Sequence, residues 1–233
     1  MLPLRIDQAS HLIFLVILAL FIIATPFLET LPKGQLINTA LLTLVMLSGL
    51  VVIGARRGTL LLAMVLVVPG VVARWVNHYR PESMPVVVHL TFAVLFLALV
   101  GVKFLQFILR APRVTVQVLE AGISTYLVFG LLWALAYMMV DGLIPGAFAF
   151  SVAGDSMAQS AIYYSFVTLT TMGYGDITPV SRVARMLAML ESTSGVLYMS
   201  ILIARLVGLY STVTPTEDGE DGTSGSRSGR GGC

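Results

Sequence analysis

The stretch with the clearest chemistry is residues 170–176, which read Thr-Thr-Met-Gly-Tyr-Gly-Asp. A narrow pore strips the water from a cation, and backbone carbonyls can replace the lost water oxygens. For successive carbonyls to face one axis, alternate residues must leave right-handed backbone space, which Gly173 and Gly175 can do without a side-chain clash. Thr171 adds a ring of hydroxyl groups at the inner end. The pattern predicts a cation site at Thr171, Met172, Gly173, Tyr174 and Gly175.

The elements that position this segment are expected to lie in a membrane. Of 233 residues, 57% are hydrophobic and 11% are charged, whereas an average soluble domain has roughly 25% charged residues. The sequence predicts an all-α membrane protein, because six apolar stretches approach or exceed the roughly 20 residues that cross a bilayer as a helix. The predicted spans are residues 11–29, 36–54, 59–78, 86–109, 116–140 and 182–209. Within the third span, Pro69-Gly70 is expected to kink or interrupt the helix.

A shorter apolar segment, residues 156–170, directly precedes the carbonyl-rich stretch. It is too short to cross the bilayer, so we expect a helix that enters the membrane and stops halfway. Irregular backbone at that depth is tolerated where protein or a water-filled cavity surrounds it. Ser156 and Gln159, after Asp155, have the spacing of a capping box at the start of this helix.

Residues 171–176 match Thr-x-Gly-Tyr-Gly-Asp, the selectivity-filter signature of tetrameric potassium channels, at every specified position. From Ala161 to Gly195 the order of pore helix, filter and inner helix also follows that family without a gap. The sequence therefore resembles a bacterial-type potassium channel with six spans and a single pore loop. The resemblance implies a homotetramer, because one filter strand supplies a quarter of each oxygen ring, and it implies K⁺ sites at Thr171, Met172, Gly173 and Tyr174.

The resemblance also assigns residues behind the filter. Tyr163 and Tyr164 take the places of aromatic residues that brace the filter tyrosine, Tyr174, although ordinary core aromatics would explain them too. Val167 takes the place of an acid that in some members bonds to the filter aspartate, here Asp176. Without that acid, the Asp176 carboxylate is expected to meet water or an indole.

On the inner helix, the resemblance points to cavity-lining residues and a gate. Gly195 falls where many family members carry a hinge glycine, although a small residue that lets helices approach closely is an equal alternative. Glu191 lies well inside the span, where a carboxylate is costly and usually has a partner. We favour a structural hydrogen-bonding role for Glu191 over a role in the ion path. The cavity candidates are Val196, Met199, Ile203 and Val207, which apolar helix packing would explain as well.

The chain divides into three predicted parts. Residues 1–110 form a four-helix transmembrane domain that resembles a voltage sensor in layout, and residues 111–210 form the pore domain. Residues 211–233, rich in Ser, Gly and charged side chains, are predicted to be a disordered cytoplasmic tail. Voltage sensors carry Arg or Lys at every third position of the fourth span, but residues 86–109 contain only Lys103. We therefore expect opening to be at most weakly voltage dependent.

Basic residues set the predicted orientation in the plasma (inner) membrane, with both termini cytoplasmic. Nine of the 14 lysines and arginines then lie inside, as the excess of positive charge in cytoplasmic loops requires. The inside set is Arg5, Arg56, Arg57, Lys103, Arg110, Arg113, Arg205, Arg227 and Arg230. The outside set is Lys33, Arg74, Arg80, Arg182 and Arg185.

The sequence as a whole favours a potassium-selective channel that passes K⁺ passively, with K⁺ as permeant ligand and no organic cofactor. A weakly selective cation channel is the alternative, and a potassium transporter subunit is less favoured because only one pore motif is present. No nucleophile with a base, metal cluster or phosphate loop indicates an enzyme, and the net charge of +2 does not indicate a nucleic-acid partner. Membrane lipid is an expected partner. The candidate stimuli for channel opening are lipid, membrane tension, pH, and an unidentified ligand or partner protein. A constitutively open channel is the remaining alternative.

Overall fold

Among the residues that the structure describes, six helices are long and apolar enough to cross a membrane, as the sequence predicts. The computed structural model describes residues 4–28, 31–53, 57–80, 85–151, 153–154 and 156–211. Within these residues the spanning helices are α1 Leu4–Leu28, α2 Gly34–Ile53, α3 Arg57–Tyr79, α4 Val86–Arg110, α5 Val116–Leu143 and α7 Arg182–Ser211. The predicted tail lies outside the described residues from residue 212 onward, and Ser211 still belongs to α7.

Helix α3 runs through Pro69 and Gly70 without a break, so the helix is not interrupted there, and a kink, the other predicted outcome, stays a prediction. The surrounding helices explain the tolerance, because neighbouring chain in a bundle stabilises a membrane helix around such residues. A Cβ at Gly70 would lie 3.0 Å from the Cβ of Phe92 on α4. The glycine therefore brings α3 close to α4.

The four-helix domain and α5 of the same chain share one hydrophobic core. Phe14 and Leu18 of α1, Phe96 of α4, and Val128 and Leu131 of α5 are all almost fully buried in it. Helix α4 packs along α5, and α1 also contacts α5. Only residues 111–115 connect α4 to α5, which is why the two helices are held side by side.

The predicted pore domain contains a short helix between two short strands. Helix α6, Met157–Leu169, is the predicted half-crossing helix. Strands β1, Phe148–Phe150, and β2, Ile177–Pro179, pair antiparallel on either side of it in the sequence, with Ala149 opposite Thr178. The strands were not predicted, because three-residue strands carry too little periodicity to be recognised. They tie the segment before α6 to the segment after the filter.

The start of α6 differs from the predicted capping box. The Ser156 hydroxyl donates to the side-chain oxygen of Gln159 at 3.2 Å, and Ser156 makes no side-chain bond to a backbone N–H. The capping-box prediction is therefore wrong for these two residues, and Asp155 lies outside the described residues. The backbone N–H groups of Gln159 and Ser160 instead both donate to the carbonyl of Ser156.

Candidate functional site

The backbone of the predicted filter alternates between two conformations. Thr171, Gly173 and Gly175 have positive φ values of 59°, 56° and 80°, whereas Met172 and Tyr174 between them do not. Left-handed and right-handed residues in alternation turn successive carbonyls toward the same side of the chain. The sequence indicated this conformation at the two glycines but not at Thr171, which is the one non-glycine residue with positive φ in the described part of the chain.

The end of α6 holds the first filter residues by hydrogen bonds. The backbone N–H of Met172 donates to the carbonyl of Val167 at 2.9 Å, and the N–H of Gly173 donates to the same carbonyl at 3.3 Å. These N–H groups are thereby turned back toward α6. The Thr170 hydroxyl bonds within the same turn, to the carbonyl of Phe166 at 2.6 Å. Val167 therefore contributes through its backbone, which a side-chain comparison could not reveal.

Asp176 finds a partner that the sequence did not suggest. The Tyr163 hydroxyl donates to Asp176 Oδ2 at 2.6 Å, so the partner is a phenol rather than water or an indole. The indole N–H of Trp133 has no partner among the described residues. The hydrogen bond from Tyr163 lowers the pKa of the half-buried Asp176 carboxyl below 3.8. The same bond raises the pKa of Tyr163 to about 12.

Tyr164 lies on the buried side of α6, and Tyr163 on its more exposed side. The Tyr164 ring packs edge-on against Tyr137 of α5, with ring centroids 4.8 Å apart, and against Phe148 of β1 at 5.4 Å. Within one chain, Tyr164 thus braces α6 against α5 and β1. Its predicted contact with Tyr174 remains a prediction.

Glu191 lies at the centre of a buried polar cluster that joins three helices. The side chain is fully buried. The Tyr137 hydroxyl is 2.5 Å from Glu191 Oε2, and the Ser165 hydroxyl is 2.5 Å from Oε1. Ser165 Oγ is also 2.7 Å from the carbonyl of Gly130. This geometry agrees with the structural hydrogen-bonding role that we favoured for Glu191.

The number of hydrogen atoms in the cluster indicates whether the Glu191 carboxyl group is neutral or ionised. Three oxygen–oxygen contacts need three hydrogens, but the Tyr137 and Ser165 hydroxyls supply one each. If Glu191 is a neutral acid, its own O–H donates to Ser165, Ser165 donates to Gly130, and Tyr137 donates to the other carboxyl oxygen. If Glu191 were ionised, one of the three oxygen–oxygen contacts would have no hydrogen atom between its two oxygens. The neutral acid therefore fits the geometry best.

Two glycines lie where helices of the pore region touch. A Cβ at Gly195 of α7 would lie 2.6 Å from the backbone oxygen of Leu169, at the end of α6. A Cβ at Gly130 of α5 would lie 2.5 Å from the ring of Phe166. Both distances are too short for a carbon atom, so these glycines permit close helix approach. For Gly195 this supports the packing interpretation without testing the hinge.

The four predicted cavity residues lie on a face of α7 that one chain leaves uncovered. Their exposed fractions range from 41% to 62%. The exposed face agrees with a cavity-lining role and also with contact to a neighbouring chain or lipid, so the assignment stays a prediction. The residues are Val196 at 51%, Met199 at 41%, Ile203 at 55% and Val207 at 62%.

Arg205 connects the far end of α7 to the end of α4. Its Nη2 donates to the backbone carbonyl of Leu109 at 3.1 Å and to that of Ala111 at 2.9 Å. The last carbonyls of a helix have no partner within the helix, and a cation there is stabilising. Glu120 of α5 does not provide an acidic partner in its place, since its Oε2 has no hydrogen-bond partner among the described residues.

The pore region matches known channels. The sequence profile of the family described as Ion channel matches residues 123–212. The chain is 43% identical over 57 residues to the calcium-gated potassium channel TvoK of Thermoplasma volcanium, which covers 24% of this chain and 13% of that protein. It is 35% identical over 75 residues to two pore potassium channel b of Oryza sativa subsp. japonica, covering 29% of this chain and 22% of that protein.

A further relative is matched over most of its length. Protein LctB of Bacillus caldotenax is 30% identical over 100 residues, which cover 41% of this chain and 74% of that protein. For the plant two-pore relatives, by contrast, the match spans 18% to 30% of their length. The chain therefore belongs to the ion channel family that includes these potassium channels.

Proposed function

We propose that four copies of this chain form a pore that passes K⁺ selectively and passively through residues Thr171 to Gly175. The observation that carries the proposal is the alternation of positive and negative φ along this stretch. Together with N–H groups that bond back to the end of α6, it leaves the carbonyls free to take the place of water around a dehydrated ion. The K⁺ ion is the permeant ligand, and Thr171, Met172, Gly173 and Tyr174 supply its oxygens.

The uncovered filter supports assembly from several chains. Met172 is 57% exposed and Tyr174 is 67% exposed in a single chain. Irregular backbone at membrane depth is stable only where protein or a water-filled cavity surrounds it, because lipid offers no hydrogen bonds. Three further copies around one axis would cover the filter and complete each ring of oxygens. A homotetramer is therefore the assembly that we propose.

Helix α6 adds an electrostatic contribution to the proposed conduction path. Its carboxyl-terminal end, at Leu169, directly precedes the filter. The negative end of the helix dipole favours a cation near that end. Below it, the apolar side chains of Val196, Ile203 and Val207 would line the cavity and could close it by dewetting. Gly195 and Met199 complete the proposed gating region.

We place the pore in the inner membrane with both termini cytoplasmic, as the excess of basic residues on that side favours.

Opening is proposed to be voltage independent, because α4 carries Lys103 and Arg110 near one end and no regular series of cations. Each charge that crosses the field would contribute about 2.3 kcal/mol per 100 mV. With so few charges in α4, a change in membrane voltage would do little work on the helix. Lipid, tension, pH, a partner and constitutive leak are the alternatives for the natural stimulus.

Reversal potentials of purified protein in planar bilayers test the proposed selectivity. In mixed K⁺ and Na⁺ solutions we expect a reversal potential near that of K⁺ and unitary current steps. The variant Gly173→Ala should lose selective current, because alanine is strained at a φ of 56°. The control Met172→Val keeps the carbonyl and should keep selectivity. Equal permeation of K⁺ and Na⁺ would favour a weakly selective cation channel, and transport without unitary steps would favour a transporter subunit.

A further inference from the structure

A cavity of about 460 Å³ opens where five helices meet at one end of the bundle. Its walls come from the end of α1, the start of α2, the end of α3, the second half of α5 and the start of α6. This is the end at which the half-crossing helix begins. The volume is in the range of pockets that bind small molecules, and none of the proposed pore functions uses it.

Arg74 brings an unusual charge to this cavity. It lies inside α3, about one and a half turns before the helix ends at Tyr79. Its Nη1 is 3.4 Å from Nε2 of His89, and because a guanidinium can only donate, His89 must accept at that nitrogen. The Arg74 Nε has no hydrogen-bond partner among the described residues.

Among the residues that the structure describes, no acidic side chain lines the cavity. The described lining residues include Arg74 and His78 but neither Asp nor Glu. An ionisable side chain in a membrane-spanning helix is costly and usually marks a functional site with a partner. An anion would complement the Arg74 guanidinium, and phosphate suits it particularly well because the guanidinium fork matches two phosphate oxygens.

Polar side chains around Arg74 add complementary contacts. Asn77, one turn further along α3, lines the cavity, and its Oδ1 has no hydrogen-bond partner among the described residues. An unpaired amide oxygen calls for a donor such as a hydroxyl group. Asn38 of α2 and Gln159 of α6 add further amides to the wall. The cavity thus offers a cation for a phosphate and, beside it, an acceptor for a hydroxyl.

The position of the cavity indicates where such a ligand comes from. Trp75 and Tyr79 stack at the same end of α3, with ring centroids 6.1 Å apart, and such aromatic residues mark the headgroup level of a bilayer. The aromatic pair places Arg74 near the level of the lipid headgroups. The apolar part of the cavity wall includes Leu131, Leu135 and Met138 of α5.

We propose that this cavity binds the headgroup of an anionic glycerophospholipid, with the phosphate on Arg74 and a headgroup hydroxyl on Asn77. Basic pockets between transmembrane helices on the cytoplasmic side of membranes hold anionic headgroups, and the same charge pairing is available at this end of the bundle, which the proposed orientation places outside. The ligand joins the four-helix domain to α6, since Gln159 lies in the first turn of that helix. The site is independent of ion conduction, so its occupancy can be measured on the protein whether or not current flows.

Native mass spectrometry of the purified full chain, titrated with phosphatidylglycerol, tests the site. We expect one saturable phosphatidylglycerol site for each chain. Arg74→Gln should weaken binding at this site by about tenfold or more, since a charge-assisted fork to phosphate is lost. The matched control is Arg80→Gln, which removes the same charge near the same end of α3 at an exposed residue that does not line the cavity.

Two further arms keep the test decisive. If Arg74→Gln does not fold, Asn77→Leu, which removes the proposed acceptor of the headgroup hydroxyl, gives the answer: weaker phosphatidylglycerol binding supports the site, and unchanged binding overturns it. Inorganic phosphate is added as a competitor to identify the source of the anion. Displacement of the lipid by phosphate at similar concentration would overturn the lipid assignment. Equal binding by wild type and Arg74→Gln would overturn the site itself.

Discussion

Glu191 holds α5, α6 and α7 together through a single carboxyl group. Its two oxygens contact Tyr137 on α5 and Ser165 on α6, and Ser165 extends the chain of contacts to the backbone of Gly130. Buried polar groups are costly when unpaired and specific when fully paired. The cluster therefore fixes where the half-crossing helix lies relative to its two neighbours, and with it the position of the filter.

We predict that Glu191→Gln is tolerated and Glu191→Leu is not. Glutamine can donate to Ser165 with its amide and accept from Tyr137 with its oxygen, as the neutral acid does. Leucine leaves the Tyr137 hydroxyl without an acceptor, at a cost of about 1–3 kcal/mol. Thermal unfolding of the purified protein should show a clear loss for leucine and a small one for glutamine. A change of ion preference in Glu191→Gln would instead indicate a role in the ion path.

Asp176 and Tyr163 give a second prediction, on pH. Because the hydrogen bond lowers the pKa of Asp176 below 3.8, its contribution to stability is complete above that value and is lost as pH falls through the folded-state pKa. The difference in thermal midpoint between wild type and Tyr163→Phe should thus be constant from about pH 8 to 5 and shrink below about pH 3.8. A difference that already changes near pH 6 would contradict this account.

The sequence identified Glu191 as a buried structural acid but not its partners. Tyr137 lies 54 residues away and Ser165 26 residues away, and no local pattern connects such residues. The sequence also predicts that Asp176 needs a hydrogen-bond partner, but it assigns Tyr163 to bracing Tyr174 and not to Asp176. Residue type and depth can be predicted from spacing, whereas pairing depends on how α5, α6 and α7 pack.

At the scale of helices, Gly195 sets how closely α7 approaches α6. A Cβ there would lie 2.6 Å from the Leu169 backbone oxygen, an atom that cannot rotate away as a side chain could. We predict that Gly195→Ala forces the two helices apart, at a cost of about 1–3 kcal/mol. The measurement is the thermal midpoint of the purified protein together with open probability in bilayers.

Gly208→Ala is the matched control on the same helix, because a Cβ at Gly208 meets no atom within 4 Å. It should leave the protein as stable as wild type or slightly more stable, since alanine is the better helix former. If Gly195→Ala shifted open probability without any loss of stability, the hinge would be favoured over close packing. If both variants behaved alike, neither interpretation of Gly195 would hold.

The helices themselves could be predicted from the sequence, because 20 or more apolar residues leave few alternatives. The ends were less predictable: α5 extends to Leu143 rather than residue 140, and α3 passes through Pro69. The pairing of β1 with β2 was missed altogether. Apolar length determines that a helix forms, while its ends and short strands depend on contacts that only the folded chain supplies.

At the scale of the whole molecule, helix α4 packs one face into the hydrophobic core. His89, Phe96, Val100 and Phe104 are buried along it, and Lys103 lies near the end that leads to the pore domain. We predict an effective gating charge below about one elementary charge per chain, measured as the voltage dependence of open probability in bilayers. Lys103→Gln should leave that dependence unchanged. A steep rise of current with voltage would contradict the proposal.

In the proposed tetramer, the shared core of α1, α4 and α5, joined by residues 111–115, would place contacts between the four-helix domain and the pore helices within each chain. In an assembly of wild-type and variant subunits, a defect in one four-helix domain would bear on the pore helices of that same subunit. The four quarters of such a mixed channel would then respond independently at this contact. This can be measured with covalently linked subunits in which one, two or three copies carry the defect. The change in open probability should grow with the number of defective copies and should not depend on their order around the ring.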